Sequence, residues 1–249
     1  MEYDQSLLLF MGTTGVSNYA KLPSWTPDSS NSNVISEIAT WERYEASRNS
    51  KTSFHFSTDE QVLYVQGAVI DSIVTTHTEF ADFPSCKDVH TFIQQLCMHL
   101  SPDICQEDYV ALLMALFDKA WKAGHQAFPS LRNVIRRFLG LVSETVLGKG
   151  LAEAKFFAHN EMSKRLDRKV LFRTTQGRLG FSSQHISPDD AVVLLSGCKL
   201  PMIIRSDGEA WRIVAPAFVH SDGIMEGGLW KDDIELQEFG FFEKIAVTR

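Results

Sequence analysis

The 249-residue sequence lacks the motifs on which conventional active sites are built. It contains no Gly-x-Ser-x-Gly nucleophile, no phosphate loop and no dinucleotide fingerprint. The segment Gly12–Ser17 follows a predicted helix instead of a strand, so we interpret it as a helix stop and not as a phosphate cradle. Hydrolases, nucleotide-dependent enzymes and dehydrogenases that use these motifs are therefore excluded.

Cysteine is scarce, and the four that are present have no metal-ligand spacing. They are Cys86, Cys97, Cys105 and Cys198. No Cys-x-x-Cys pair occurs, and the eight histidines are dispersed along the chain, so we predict no metal site and no cofactor. Scattered cysteines of this kind are typical of reduced, mostly buried thiols in a cytoplasmic protein.

Positive charge is also in deficit, with a formal net charge of −7. A nucleic-acid binder needs a basic stripe that neutralises phosphates, so nucleic acid is not an expected partner. No apolar run is long enough to span a bilayer, and the N-terminus is acidic where a signal peptide would be basic. We therefore expect a cytoplasmic chain that does not associate with a membrane, and the composition leaves its oligomeric state open.

Aromatic residues, by contrast, are plentiful. The chain has 17 Phe and 5 Trp within a hydrophobic content of 44%. This supply indicates either a bulky core or a core with room for an apolar guest.

The hydrophobic periodicity predicts an α+β fold. An N-terminal strand pair is expected at Thr52–Phe56 and Val62–Ile73, with apolar residues on both faces of Val62–Val74. Helical stripes follow in the middle of the chain, and six short strands separated by turn residues follow those. The helices are predicted at about Asp88–Leu100, Tyr109–Trp121, Leu131–Val146 and Leu151–Leu166. The late strands are predicted at Val170–Thr174, Arg178–Phe181, Ala191–Leu195, Pro201–Arg205, Trp211–Ala215 and Ala217–His220.

We expect one domain over residues 1–249, in which a helical middle packs against an antiparallel sheet or small barrel. Its sub-regions are an N-terminal part with a helix, a Pro-Trp-Pro segment and the strand pair (1–80), a helical part (81–168) and a β-rich part (169–249).

Four motifs in order resemble the C-terminal region of fungal heterokaryon-incompatibility (HET) proteins. They stand at Leu22–Asp28 (Leu-Pro-Ser-Trp-Thr-Pro-Asp), Leu171–Gly180, Asp189–Arg205 and Phe218–Gly227. Departures from the family pattern include Ser29 in place of a Trp and the inserted Ser221-Asp222. The signalling domain that names the family normally precedes this region and has no counterpart here. Met1 followed directly by family-like sequence slightly favours a stand-alone chain.

The resemblance implies two functions from different classes. Some stand-alone HET-like chains act beside biosynthetic enzymes as cyclases, including Diels–Alder-type cyclases of sordarin-like diterpenes. On that reading the chain folds an apolar terpenoid or polyketide substrate, and the absence of a catalytic motif is expected because a pericyclic reaction needs no nucleophile. The alternative is a non-catalytic HET-type signalling or interaction module, which needs only a surface patch.

For the cyclase, the candidate residues form a polar set and an apolar set. The polar, catalytic set is His220, Arg173, Asp222 and Glu226, in which His220 hydrogen-bonds a substrate carbonyl. The apolar, substrate-binding set is Trp25, Trp211, Phe172 and Met225. A structural interpretation competes with each of these residues: His220 could serve its own turn, and an Arg in an apolar strand, such as Arg173 or Arg205, could pair with a protein carboxylate.

Overall fold

The computed structural model describes residues 44–48, 50–59, 62–77, 169–183, 186–220 and 223–242. Within these ranges the chain forms nine β-strands and one short 3₁₀ helix at Ile224–Glu226. The strands are β1 (Phe54–Phe56), β2 (Val62–His77), β3 (Lys169–Thr174), β4 (Leu179–Ser183), β5 (Ala191–Leu195), β6 (Met202–Asp207), β7 (Ala210–Pro216), β8 (Phe218–His220) and β9 (Gln237–Phe242).

The predicted α+β class is wrong, because the described fold is built from strands alone. The described residues contain no α-helix, and the stripes predicted as helices between residues 81 and 168 lie outside them. The physical reason is that the sheet buries its apolar face by curling onto itself. It does not need a layer of helices to cover that face.

Five strands form a closed ring in the order β2, β5, β6, β7 and β9. Antiparallel ladders join β2 to β5, β5 to β6, β6 to β7 and β9 to β2. The remaining contact, between β7 and β9, is parallel and runs through Trp211 and Phe241. The strands predicted between Val170 and His220 pair antiparallel where β5, β6 and β7 and where β4 and β8 meet, and the parallel contact comes from β9, which was not predicted. Closure removes the free edges of the ring.

The inside of the ring is filled by its own side chains. The buried cluster consists of Leu63, Val65, Ala191, Val193, Leu195, Cys198, Met202, Ile204, Ile213, Phe239 and Phe241, and Trp211 packs against it. Burying an aliphatic or aromatic side chain of this size contributes about 1.5–3 kcal/mol. Apolar packing of the ring is therefore the main stabilising interaction of the described fold.

Strand β2 contains a β-bulge within its pairing with β5. The pairing with β5 shifts between Val69 and Asp71, so Ile70 is an extra residue on β2. One extra residue inverts the side-chain alternation, which turns Asp71 inward, toward the β3–β4 hairpin. The two faces of β2 are both buried at Val62 and Leu63, whereas Val69 and Val74 are 44% and 47% exposed.

Strands β3, β4 and β8 extend the sheet beyond β2. The β3–β4 hairpin closes on Gly177, whose φ of 78° suits glycine, and Gly177 N donates to Thr174 O at 2.9 Å. The side chain of Phe172 on β3 lies directly over Gly180 on β4. Strand β8 completes this part by pairing with β4 from Leu179 to Phe181.

The chain divides into two compact units, Met1–Thr76 with Leu171–Arg249, and His77–Val170. All described residues except His77, Lys169 and Val170 belong to the first unit. Among the described residues no helix is long and apolar enough to cross a membrane.

Candidate functional site

Two predicted polar residues, Arg173 and His220, lie on the same face of the β3–β4–β8 sheet. Leu179 pairs with His220 across β4 and β8. Thr174 N donates to Arg178 O at 2.9 Å, which sets Arg173 beside Leu179 across the hairpin. The Cα atoms of Arg173 and His220 are therefore about 10 Å apart, or two strand spacings. Both residues are partly buried.

The other predicted polar residues do not complete this pair. Glu226 is exposed at the end of the 3₁₀ helix, where its backbone N–H donates to Gly223 O at 3.0 Å. Asp222 lies outside the described residues. In the described part of the chain, no group of three or more His, Cys, Asp or Glu side chains could hold a metal ion.

Of the predicted substrate-binding residues, Phe172 and Met225 contact the paired residues Gly180 and Val219, whereas Trp211 packs against the ring core. Phe172 is fully buried over Gly180, and Met225 is 3% exposed. The Sδ of Met225 accepts a long hydrogen bond of 3.5 Å from Val219 N. Trp211 packs edge-on against Phe239 of the ring core, with 5.8 Å between ring centroids. The fourth residue, Trp25, lies outside the described residues.

Arg205 does have the protein carboxylate partner that an inward-facing strand arginine requires. Its Nε donates to Asp190 Oδ1 at 2.6 Å and its Nη2 to Asp190 Oδ2 at 2.8 Å. Nη2 also donates to Ser187 Oγ at 3.0 Å. The hydrogen bonds to Asp190 raise the pKa of Arg205 above its usual value, although burial lowers it. The two ends of the Asp189–Arg205 motif are thus joined by one bidentate ion pair, which is structural.

Arg173 differs from Arg205 in this respect. Among the residues that the structure describes, its guanidinium has no hydrogen bond and no ion pair. Its strand is otherwise buried.

A second ion pair holds the β3–β4 hairpin to the bulge of β2. Arg178 Nη1 donates to Asp71 Oδ2 at 2.9 Å and to Ile70 O, the carbonyl of the bulged residue, at 3.1 Å. Burial of Asp71 raises the pKa of its carboxyl, but hydrogen bonds from Thr175, Thr174, Ser72 and Gln176 outweigh this effect and hold the pKa below its usual value. This pair could not be predicted from the sequence, because the bulge depends on contacts between distant residues.

Two glycines of the HET-like motifs, Gly197 and Gly227, lie directly against the segment of residues 44–52. A Cβ on Gly197 would meet the Thr52 Cα at 2.8 Å, and one on Gly227 would meet Glu45 O at 2.8 Å. Glu45 N donates to Met225 O at 2.9 Å, and Ser47 Oγ donates to the carbonyl of Cys198 at 2.7 Å. These motif residues therefore pack against the segment that leads into β1 and form hydrogen bonds with it.

Strand β1 lies outside the ring and exposes two phenylalanines. Phe54 is 38% exposed and Phe56 is 47% exposed, and their rings meet edge-on at 6.0 Å. They pair with Val65 and Leu63, which belong to the ring core. The apolar inner face of the sheet therefore continues past the ring onto β1, where it is open to solvent.

The hydrogen-bonding groups of β1 alternate between β2 and the opposite, open edge. Ser57 N donates to Val62 O at 2.9 Å, and Gln66 N donates to Ser53 O at 3.2 Å. In an antiparallel ladder every second residue bonds the same neighbour, so Ser53, His55 and Ser57 face β2. The N–H and C=O groups of Phe54 and Phe56 therefore point to the other edge, where no described strand pairs with them.

On the opposite face, His55 stacks on Tyr64 with ring centroids 4.9 Å apart. Its Nδ1 lies 3.6 Å from Glu238 Oε1. On this face His55 contacts Tyr64 and Glu238 but stays exposed, with 59% of its side chain accessible to solvent. The sequence predicted the strand and its alternation, but not that it would be an edge.

Comparison with known families identifies part of the chain. Residues 144–241 match the family model of the Het-6 beta-barrel domain. This match supports a HET-related C-terminal region, in agreement with the closed ring of strands. No curated protein and no solved structure matches the chain.

Proposed function

We propose that this chain is a non-catalytic HET-type interaction module, and that it binds a protein partner along the open edge of β1. The observation that carries the proposal is the combination of two exposed rings, Phe54 and Phe56, with backbone groups that no described strand pairs. An edge strand of this kind accepts an extended segment by strand addition, in which backbone hydrogen bonds supply affinity and side chains supply specificity.

The rest of the described structure supports a module over an enzyme. The HET-like motifs that could have held catalytic groups close turns, pair ions or seat the segment before β1. The ring interior is occupied by its own apolar side chains. Among the described residues, the phenylalanine face of β1 and its edge combine exposed aromatic rings with backbone groups that no described strand pairs.

Site-specific photo-crosslinking in the cells that make the chain tests the proposal. A benzoylphenylalanine replacing Phe56 should form a covalent adduct with a discrete protein. The same group replacing Glu209, which is exposed in the turn between β6 and β7, should form none. Equal adducts at both positions, or none at Phe56, would contradict the module.

A second candidate, the small-molecule cyclase, is favoured by the shared face of Arg173 and His220. Leu179, Phe181 and Phe218 lie between or beside them on that face, and all three are buried. A partly buried arginine without a described partner could bind a substrate carbonyl or carboxylate, and His220 could donate a second hydrogen bond. A Diels–Alder closure converts two π bonds into two σ bonds without proton or electron transfer, so binding and folding of the substrate would suffice.

Anilinonaphthalene sulfonate, an aromatic anion, is a suitable probe for the second candidate. Its fluorescence should rise on binding to the chain, and Arg173→Gln should weaken that binding about 10-fold, the loss of one charge-assisted contact. Arg212→Gln, a change to a partly buried arginine on β7, is the matched control. Equal binding by both variants would remove the support for this site.

A further inference from the structure

We infer that the partner of the β1 edge is a second copy of this chain, bound by antiparallel pairing of β1 with β1 about a two-fold axis at His55. This inference rests on the proposed interaction function and names its partner. Such an interface is isologous, because each copy offers the other the same surface.

The hydrogen-bond pattern of β1 is complementary to itself in this arrangement. A two-fold axis at His55 sets Phe54 of one copy opposite Phe56 of the other. Both residues direct their N–H and C=O groups to the open edge, so each Phe54–Phe56 pair forms two hydrogen bonds. The two pairs related by the axis form four, and the two His55 residues meet as a non-bonded pair. A register shifted by one residue would set bonding groups opposite non-bonding ones.

The side chains fit the same register. All four phenylalanine rings, two from each copy, fall on one face, where their 38% and 47% exposed surfaces meet. Aromatic cross-strand pairs of this kind stabilise a ladder by about 0.2–1 kcal/mol each. His55 of each copy lies on the other face, beside its own Tyr64.

Charge complementarity also favours the second copy. The chain leading into β1 carries the exposed Lys51, and the turn leaving β1 carries the exposed Asp59. Antiparallel pairing brings the basic end of one copy alongside the acidic end of the other, twice per dimer. A parallel arrangement would instead bring like ends together.

Sedimentation equilibrium of the purified full chain tests this inference. The wild type should show a concentration-dependent approach to about 56 kDa, twice the 28.1 kDa of one chain. Phe54→Pro removes an N–H that faces the open edge and leaves the bonds of Ser53, His55 and Ser57 to β2 in place. Both Phe54→Pro and Phe56→Asp should raise the dimer dissociation constant at least about 10-fold. Val74→Asp, at an equally exposed apolar residue of β2, should leave it unchanged.

Charge exchange provides an independent measurement. Lys51→Asp or Asp59→Lys alone should weaken the dimer, whereas the double variant should recover it, because the two contacts are then reversed in sign. Thermal unfolding of each variant confirms that it is folded.

A wild type that stays at 28.1 kDa across the micromolar range would overturn self-pairing. So would a dimer that tolerates both phenylalanine changes. If the chain is monomeric and Phe56 still crosslinks to a protein of another mass, self-pairing fails and the interaction module stands. If Phe56 crosslinks to nothing, the module fails as well.

Discussion

The ion pair between Asp71 and Arg178 is stabilising only while the carboxylate is charged. Their side chains are 1% and 11% exposed, so an uncompensated charge here is costly. Because hydrogen bonds hold the pKa of Asp71 below its unfolded value, the charged form is bound more favourably in the folded state. The resulting stability is present above the unfolded pKa of about 3.9 and is lost as the pH falls through the lower folded pKa.

We therefore predict that Asp71→Asn lowers the free energy of unfolding at neutral pH by about 3 kcal/mol. The variant should also lose less stability than the wild type below about pH 4. Urea unfolding across this pH range measures both effects. Asp189→Asn is the matched control, since Asp189 is exposed at a φ of 71° that Asn also tolerates. A variant that keeps the wild-type pH slope would contradict the role given to Asp71.

Arg205 depends on the geometry of its guanidinium and not only on its charge. A lysine in its place keeps the charge but cannot donate to both oxygens of Asp190 and to Ser187 Oγ at once. Arg205→Lys should therefore lower the melting temperature and cost about 1–2 kcal/mol of stability. Arg212→Lys, at the residue paired with Arg205 across β7, should cost less than half as much. Equal losses of stability in Arg205→Lys and Arg212→Lys would argue against a role for the bidentate hydrogen bonds of the Arg205 guanidinium.

At the scale of the elements, the β3–β4 hairpin requires two glycines for different reasons. A Cβ on Gly180 would overlap the ring of Phe172 and lie 2.5 Å from Phe218 O, whereas one on Gly177 meets nothing within 4 Å. Gly180→Ala should cost about 3 kcal/mol through overpacking. Gly177→Ala should cost about 1 kcal/mol, because its φ of 78° is left-handed.

The double variant Phe172→Ala with Gly180→Ala separates the two contacts of Gly180. Removing the ring relieves only one of them, because Phe218 O belongs to the backbone of β8. The effect of Gly180→Ala should therefore be smaller in the Phe172→Ala background but not absent. Chemical denaturation of the four proteins gives the coupling, and strict additivity would show that ring and methyl do not meet.

Short strands with strong alternation could be predicted from the sequence. Residues Ala191–Leu195 were predicted as a strand and form β5, and the pairing of β1 with β2 was also predicted. Strand β9 was missed, because Gly240 interrupts its apolar pattern, yet β9 closes the ring through Phe241. Ring closure and the bulge at Ile70 depend on contacts between distant residues, which local periodicity does not contain.

The candidate site could be predicted only in part from the sequence, because its contacts also join residues that are distant along the chain. That an arginine such as Arg205 needs a carboxylate follows from burial, but its partner Asp190 could be chosen only by the fold. The exposure of Phe54 and Phe56 could not be predicted at all, because a strand becomes an edge only through the pairing of its neighbours. Phe172 and Met225 are buried in the described fold, and their expected contact with a substrate stays a prediction, since apolar side chains in a strand and in a turn are equally suited to a core.

At the scale of the whole molecule, the described residues combine a filled ring with an open edge at β1. Residues of the described HET-like motifs hold turns and an ion pair of this fold, and the β1 edge is where the proposed partner adds. Amide hydrogen exchange at β1 tests whether a second copy pairs with this edge, because it reports the protection of each backbone N–H separately.

We predict that the amide of His55, which faces β2, is protected at every protein concentration. The amides of Phe54 and Phe56 should exchange rapidly in dilute solution and become protected as the protein concentration rises. If Phe54 and Phe56 exchange at one rate at all concentrations, whether fast or slow, then β1 is not the edge on which a second copy adds.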